Sequence, residues 1–198
     1  MKRATTYRSN VLAALVAVAG VASASCGPED VVVASTIASL DGGPGGSCAR
    51  NADCLPNEFC SMASCRDSSG TCAKRPMFCD NNLMPVCGCD GVVYWNQCLR
   101  QQDGVASDEA GECSLGYAAC GGLAMPQCPS NAVCNRLVPG AGNGCSLTSV
   151  GACWALPGVC PADSGVPPLQ SCGPGPATCT DACTAIRSGM PYQMGGCP

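Results

Sequence analysis

Twenty-one cysteines in 198 residues constrain this chain more than any other feature. That density exceeds the level at which a chain is read as a disulfide scaffold. The apolar fraction of 46% looks ordinary, but cysteine and alanine inflate it. Two Trp, four Tyr and two Phe are all the aromatic residues available, so a conventional interior of large side chains cannot be assembled. Chains in that position are held by cross-links, each contributing ~2–5 kcal/mol, partly by restricting the unfolded state. The expected fold class is therefore small and disulfide-rich.

The N-terminus indicates where those cross-links form. Lys2, Arg3 and Arg8 make a positive head, residues 11–22 are apolar and uncharged, and ASASC follows at 22–26. This is the pattern of an export signal, too short and wrongly flanked for a membrane span. A signal peptide is expected over 1–25, and beyond it the cysteines meet an oxidising environment and pair. Two processing routes compete. Ala22, Ser23 and Ala24 fit a small-x-small signal peptidase site. Residues 23–26 also resemble the lipobox of bacterial lipoproteins, in which the cysteine is lipidated, with Ser23 where that family usually has Leu. An odd cysteine count leaves one thiol without a partner, and Cys26 stands apart from the rest, 22 residues before Cys48. Lipidation would use Cys26 up; simple cleavage would leave it free or intermolecular. The expected location is outside the cytoplasm, secreted or lipid-anchored at the cell envelope. Residues 26–47 end in a Gly/Pro/Ser run and read as a flexible linker. Past the signal, seven Lys/Arg face fourteen Asp/Glu, which leaves no basic patch for nucleic acid.

From Cys48 onward the cysteines fall into two groups of ten, Cys48 to Cys113 and Cys120 to Cys197. The groups align. CLPNEFC at 54–60 matches CPSNAVC at 128–134, with Asn57 over Asn131. GTCAKRPMFC at 70–79 matches GACWALPGVC at 151–160, with Pro76 over Pro157. Cys87 to Cys98 and Cys172 to Cys183 each enclose ten residues, Gly104 and Gly189 each stand six past a cysteine, and both groups close on Gly-x-Cys. Cysteines match easily at this density; the Gly, Pro and Asn between them do not. The reading is an internal duplication, with modules at 48–113 and 120–197 and a linker at 114–119. The second copy is degenerate. It has eleven residues between Cys160 and Cys172 where the first has seven between Cys79 and Cys87.

Cys79-DNNLMPV-Cys87 followed by GCDGVVYWNQC resembles the heart of a Kazal domain, the serine-protease inhibitor module. The family pattern Cys-Gly-x-Asp-Gly-x-x-Tyr-x-Asn-x-Cys is met by Cys87, Gly88, Asp90, Gly91, Tyr94, Asn96 and Cys98. Pro85 and the closing Gly111 and Cys113 also fit. The resemblance covers a Kazal core at 72–113. With the lead-in from Cys48 to Cys65, the unit is similar to a follistatin-type module, an EGF-like hairpin joined to a Kazal-like α+β domain. The chain departs from the pattern at two cysteines: LRQQDG lacks the family's fifth, and Cys89 is extra. The resemblance implies disulfides Cys79–Cys98 and Cys87–Cys113, with Cys72 assigned to Cys89. In the hairpin it implies Cys48–Cys60 and Cys54–Cys65. The residues are physically consistent with such a unit. Asp90-Gly91 suits a tight turn, and Val93 and Tyr94 favour a strand. Tyr94 supplies apolar area to a poor core. Trp95, on the alternate face, is expected to be exposed. Residues 99–105 are expected to hold a short helix ended by Gly104.

In that family the segment between the second and third cysteines is presented to a protease as a substrate would be. Bridges at both ends hold it extended, so docking costs little entropy. Carried over, the inhibitory loop is Asp80, Asn81, Asn82 and Leu83. Asn81 fills the specificity pocket, and Asn96 and Tyr94 support the loop. A short neutral amide suits neither a trypsin-like nor a chymotrypsin-like pocket, which points to a broad subtilisin-like one. The expected function is serine-type endopeptidase inhibition by the disulfide-braced loop 80–84. The alternative is a non-inhibitory surface or secreted binding module on the same scaffold. The second copy has lost the Asp-Gly, Tyr and Asn features, with Cys179 where Tyr94 stands, and reads as a structural or binding repeat. The expected partner is a serine protease or another extracellular protein, with membrane contact only through a lipid on Cys26. The chain has no histidine, so it lacks the usual triad base and the usual zinc ligand, and its cysteines are oxidised. No enzyme activity, metal or cofactor is expected.

Overall fold

The computed structural model describes residues 44–107, 113, 115–124, 126–138, 146, 148–172, 176 and 178–197. The signal peptide, Cys26 and most of the 26–47 linker lie outside them. Strands are β1 Ser47–Cys48, β2 Glu58–Ser61, β3 Gly70–Lys74, β4 Val86–Cys87 and β5 Val93–Tyr94, followed by helix α1 Gln97–Gln102. Then come β6 Ala119–Gly121, β7 Val133–Asn135, β8 Leu137–Val138, β9 Val150–Ala155, β10 Leu169–Ser171, β11 Cys179–Thr180, helix α2 Ala182–Arg187 and β12 Tyr192–Met194. No helix among the described residues is long and apolar enough to cross a membrane.

Strands this short cannot hold together by ladder bonds alone, and sulfur supplies the rest. Nine disulfides lie among the described residues: Cys48–Cys60, Cys54–Cys72, Cys65–Cys89, Cys79–Cys98, Cys87–Cys113, Cys120–Cys134, Cys128–Cys153, Cys160–Cys183 and Cys179–Cys197. Cys172 is also disulfide-bonded. The chain is thus a disulfide-braced protein suited to an oxidising, extracytoplasmic environment. Two implied pairings are corrected. Cys54 bonds Cys72, not Cys65, and Cys65 bonds Cys89, so that Cys72 and Cys89 are not joined. The reason is placement. Cys72 lies within β3 and brings its Cα to 5.5 Å from that of Cys54. Cys65 lies in the connection from β2 to β3 and comes to 5.2 Å from Cys89. Both separations are within bridging range. The hairpin's connection is therefore stapled to the Asp90-Gly91 turn.

Among the described residues three sheets form, ordered β1-β3-β2, β4-β5-β9-β6 with β7 also on β9, and β11-β10-β12-β8. In the first, Cys60 lies opposite Cys72 and Cys48 opposite Gly70. On β9, Cys134 lies opposite Cys153 and Cys120 opposite Gly151. Each helix starts on a side-chain acceptor, with Asn96 taking the Leu99 N–H and Asp181 the Thr184 N–H, both at 2.9 Å. Gly104 and Gly189 follow the helices at φ +72° and +64°, the left-handed conformation that ends them. From the last turn of α1, Gln102 donates to the Pro76 and Met77 carbonyls; from α2, Arg187 donates to those of Pro157 and Gly158.

Strand β5 runs parallel to β9, with Val93 opposite Trp154 and Tyr94 opposite Ala155. The two cysteine groups therefore share a sheet. Within the expected 114–119 linker, Ala119 opens β6 and Ala118 donates to the Gly91 carbonyl at 2.9 Å. The cores are shared too. Val92 and Tyr94 pack with Cys120, Cys153 and Ala155, and Trp95 packs with Leu169, Ala182, Cys183, Ala185, Ile186 and Tyr192. Trp95 was expected in solvent and is instead 0% exposed. Strand alternation does turn it away from Tyr94, but that face is covered by the second cysteine group.

Candidate functional site

The loop between Cys79 and Cys87 is closed at both ends by bridges, Cys79 to Cys98 in α1 and Cys87 to Cys113. Asp80, Asn81 and Asn82 are exposed, and Leu83 is half-buried against the Trp95 cluster. Beneath them Asn96 is buried. Its Nδ2 donates to the Asp80 carbonyl at 2.9 Å and to the Asn82 carbonyl at 3.1 Å. One amide group thus spans the carbonyls on either side of Asn81, with Asp80 Oδ1 also at 3.3 Å. Asn96 Oδ1 meanwhile caps α1, so the helix start and the loop brace are one side chain. Across the top, Asn82 Nδ2 donates to Asp80 Oδ2 at 3.0 Å. The Met84 N–H donates to the Trp95 carbonyl at 3.0 Å and fixes the loop's far end.

Tyr94 does its work one step away. Its hydroxyl donates to Asp90 Oδ2 at 2.8 Å, and Asp90 Oδ1 accepts the Val92 N–H. Gly91 sits at φ +78°, a conformation costly for any other residue. Tyr94 therefore braces the Asp90-Gly91 turn. Burial, then the Asp90 carboxylate, hold its phenol protonated far above the usual tyrosine range.

Trp95 is the site residue that sequence reading missed. Its indole Nε1 donates to the Asn81 carbonyl oxygen at 2.8 Å. Only the pairing of its indole donor with a nearby backbone acceptor could have signalled this, and that needs the fold. The loop's flanks carry a second feature. Met77, Phe78 and Met84 are 81%, 88% and 70% exposed, so a polar tip is bordered by apolar side chains. Among the described residues, three groups of cysteine or aspartate ligand atoms each lie within 4.8 Å of one another, at Cys48, Cys54 and Cys72; at Cys120, Cys128 and Cys134; and at Cys160, Asp181 and Cys183. Their sulfurs are all spent in disulfides and offer no thiolate to a metal.

No protein-family model, curated protein or solved structure matches this chain. The fold and site define a class: a disulfide-rich protein of short strands and few helices that presents a braced, exposed loop.

Proposed function

We propose that this chain is an exported, Kazal-like inhibitor that offers residues 80–84 to a serine endopeptidase as a substrate would be offered. The observation that carries the reading is the Asn96 amide, which bonds the carbonyls of residues 80 and 82 and so fixes the backbone on both sides of Asn81. A loop ordered before it docks loses little conformational entropy on binding. With Cys79–Cys98 and Cys87–Cys113 intact, the two ends of a cut 81–82 bond would stay together and favour religation. The exposed Phe78 and Met84 would add apolar contact beside a pocket residue, Asn81, that contributes little. The protein would act as a binding partner and not as an enzyme, secreted or anchored by a lipid on Cys26.

The test is direct. Asn81→Lys supplies a trypsin-type pocket residue, while the wild type is assayed against subtilisin-like proteases. Inhibition of trypsin by N81K is expected. If neither protein slows any serine protease, the inhibitor reading goes. A second reading, a non-inhibitory binding module, is favoured by one contact: the Asn81 carbonyl is already bonded to a buried indole.

We further propose that 48–113 and 120–197 are two copies of one module. Supporting this are the shared registers on β3 and β9, the matched helix caps at Asn96 and Asp181, and the matched bridges. Cys48–Cys60 corresponds to Cys120–Cys134, Cys54–Cys72 to Cys128–Cys153, and Cys79–Cys98 to Cys160–Cys183. Gln102 and Arg187 stand four past equivalent cysteines and reach equivalent carbonyls.

A further inference from the structure

A serine protease activates a peptide bond by bonding its carbonyl oxygen with fixed N–H donors on the enzyme. The oxygen must therefore face the enzyme. In this chain the oxygen of Asn81 accepts from Trp95 Nε1 at 2.8 Å, and Trp95 is 0% exposed. The carbonyl is thus turned toward the body of the protein, although the residue itself is exposed. Trp95 is also held through its backbone, donating to the Ala155 carbonyl and accepting from the Met84 N–H, both at 3.0 Å. Its ring lies among Leu169, Ala182, Cys183, Ala185, Ile186 and Tyr192, all from the second cysteine group. The indole cannot follow the loop outward without opening that packing.

We infer that Trp95 is a positioning residue that latches the Asn81 carbonyl away from an attacking protease, and that the second cysteine group, by burying the indole, keeps that donor in place. This rests on reading 80–84 as the protease-facing loop. The latch gives the degenerate half of the chain a role in the reaction without touching the protease. It would also slow cleavage of a substrate-like loop. An enzyme must first break the indole bond, so binding is slowed to the fraction of time the carbonyl is free.

The full-length chain carries the test. N81K and N81K/W95F are compared with trypsin for inhibition and, by mass spectrometry, for the rate of cleavage at the 81–82 bond. Loss of one hydrogen bond predicts a rise of about 2- to 12-fold in association or cleavage when the donor is removed. Because Trp95→Phe also leaves space in a packed core, a second variant places 3-benzothienylalanine at 95, which keeps the ring's shape and lacks the N–H. Ile186→Val in the N81K background shortens one neighbour of the indole by a single carbon, leaving the ring buried and its N–H in place, so it controls for core loosening and is expected to leave the 81–82 rate unchanged. A rise in the isostere with no rise in I186V supports the latch. No rise in the isostere, or an equal rise in I186V, overturns it. The outcomes separate from those for inhibition. N81K that inhibits while the Trp95 variants match it would sink the latch and keep the inhibitor. N81K that never inhibits while the isostere is cleaved faster within that range would keep the latch and sink the inhibitor.

Discussion

Asn96 joins two jobs that can be separated by mutation. Asn96→Ser keeps a hydroxyl able to cap α1, since serine is as good a cap as asparagine. It is too short to reach the carbonyls of residues 80 and 82. Two hydrogen bonds are lost, each with a net value of ~0.5–1.5 kcal/mol, or ~1–3 kcal/mol together. Asn96→Ala loses the cap as well, a further ~0.5–2 kcal/mol. The bridges at Cys79 and Cys87 remain in both variants, so the cost should appear as local opening of the loop and not as global unfolding. The reporter is the Met84 amide, whose N–H is bonded to the Trp95 carbonyl. At a factor of ten per 1.4 kcal/mol, its hydrogen exchange should speed up about 5- to 150-fold in N96S. The amides of α1 should keep their protection in N96S and lose part of it in N96A. Wild-type exchange at Met84 in N96S would refute the claim that this amide pair holds the loop.

Two further predictions concern the scaffold. A Cβ at Gly70 would stand 2.2 Å from the Ser61 oxygen, and one at Gly151 would stand 2.0 Å from that of Asn135. Both neighbours are backbone, so Gly70→Ala and Gly151→Ala should each cost ~1–3 kcal/mol, read as a lower denaturant midpoint with disulfides intact; an unchanged midpoint would contradict the strand pairings. Alkaline pH should destabilise the fold. Burial pushes the Tyr192 phenol up to about 12, against a bond to Asn135 that pulls it down, and Tyr94 is raised in the same direction. The folded state then holds these protons more tightly than the unfolded chain, which releases them near 10. Stability present below pH ~10 should therefore be lost as pH rises toward about 12. Midpoints measured across this range, alongside the tyrosinate absorbance, check it; two phenols ionising near 10 in an intact fold would contradict the burial.

Part of the loop was legible from local chemistry, because the Asp90-Gly91 turn and the strand at Val93 and Tyr94 depend on a few neighbouring residues. The Asn96 brace and the bridges from Cys79 and Cys87 span 14 to 26 residues and were implied only by the resemblance to the Kazal pattern. Trp95 was not legible. Strand alternation correctly turned it away from Tyr94, but what covers that face comes from β10, α2 and β12, far along the chain. The hairpin bridges failed for a related reason. Cys54, Cys65 and Cys72 are close in sequence, and their choice of partner depends on the β2–β3 register and on where the Asp90-Gly91 turn docks. Neither is written in the spacing.

One difference between the halves shows why only the first presents such a loop. In the first, Val86 lies opposite Tyr94. On the proposed alignment Ser171 should lie opposite Cys179, but Gln170 does. The second hairpin is therefore slipped by one residue. Such a slip turns every side chain on the moved strand to the other face. The bridges change with it. Cys87 bonds the closing Cys113 in the first half, whereas the closing Cys197 is bonded by Cys179 in the second. Cys172, the counterpart of Cys87, is thus released from bracing the chain's end. On the same alignment the position of Tyr94 is held by Cys179, which is in a cross-link, and that of Asn96 by Asp181, a carboxylate that can accept but cannot donate. What remains of the second hairpin and its helix is an apolar surface, and Trp95 fills it.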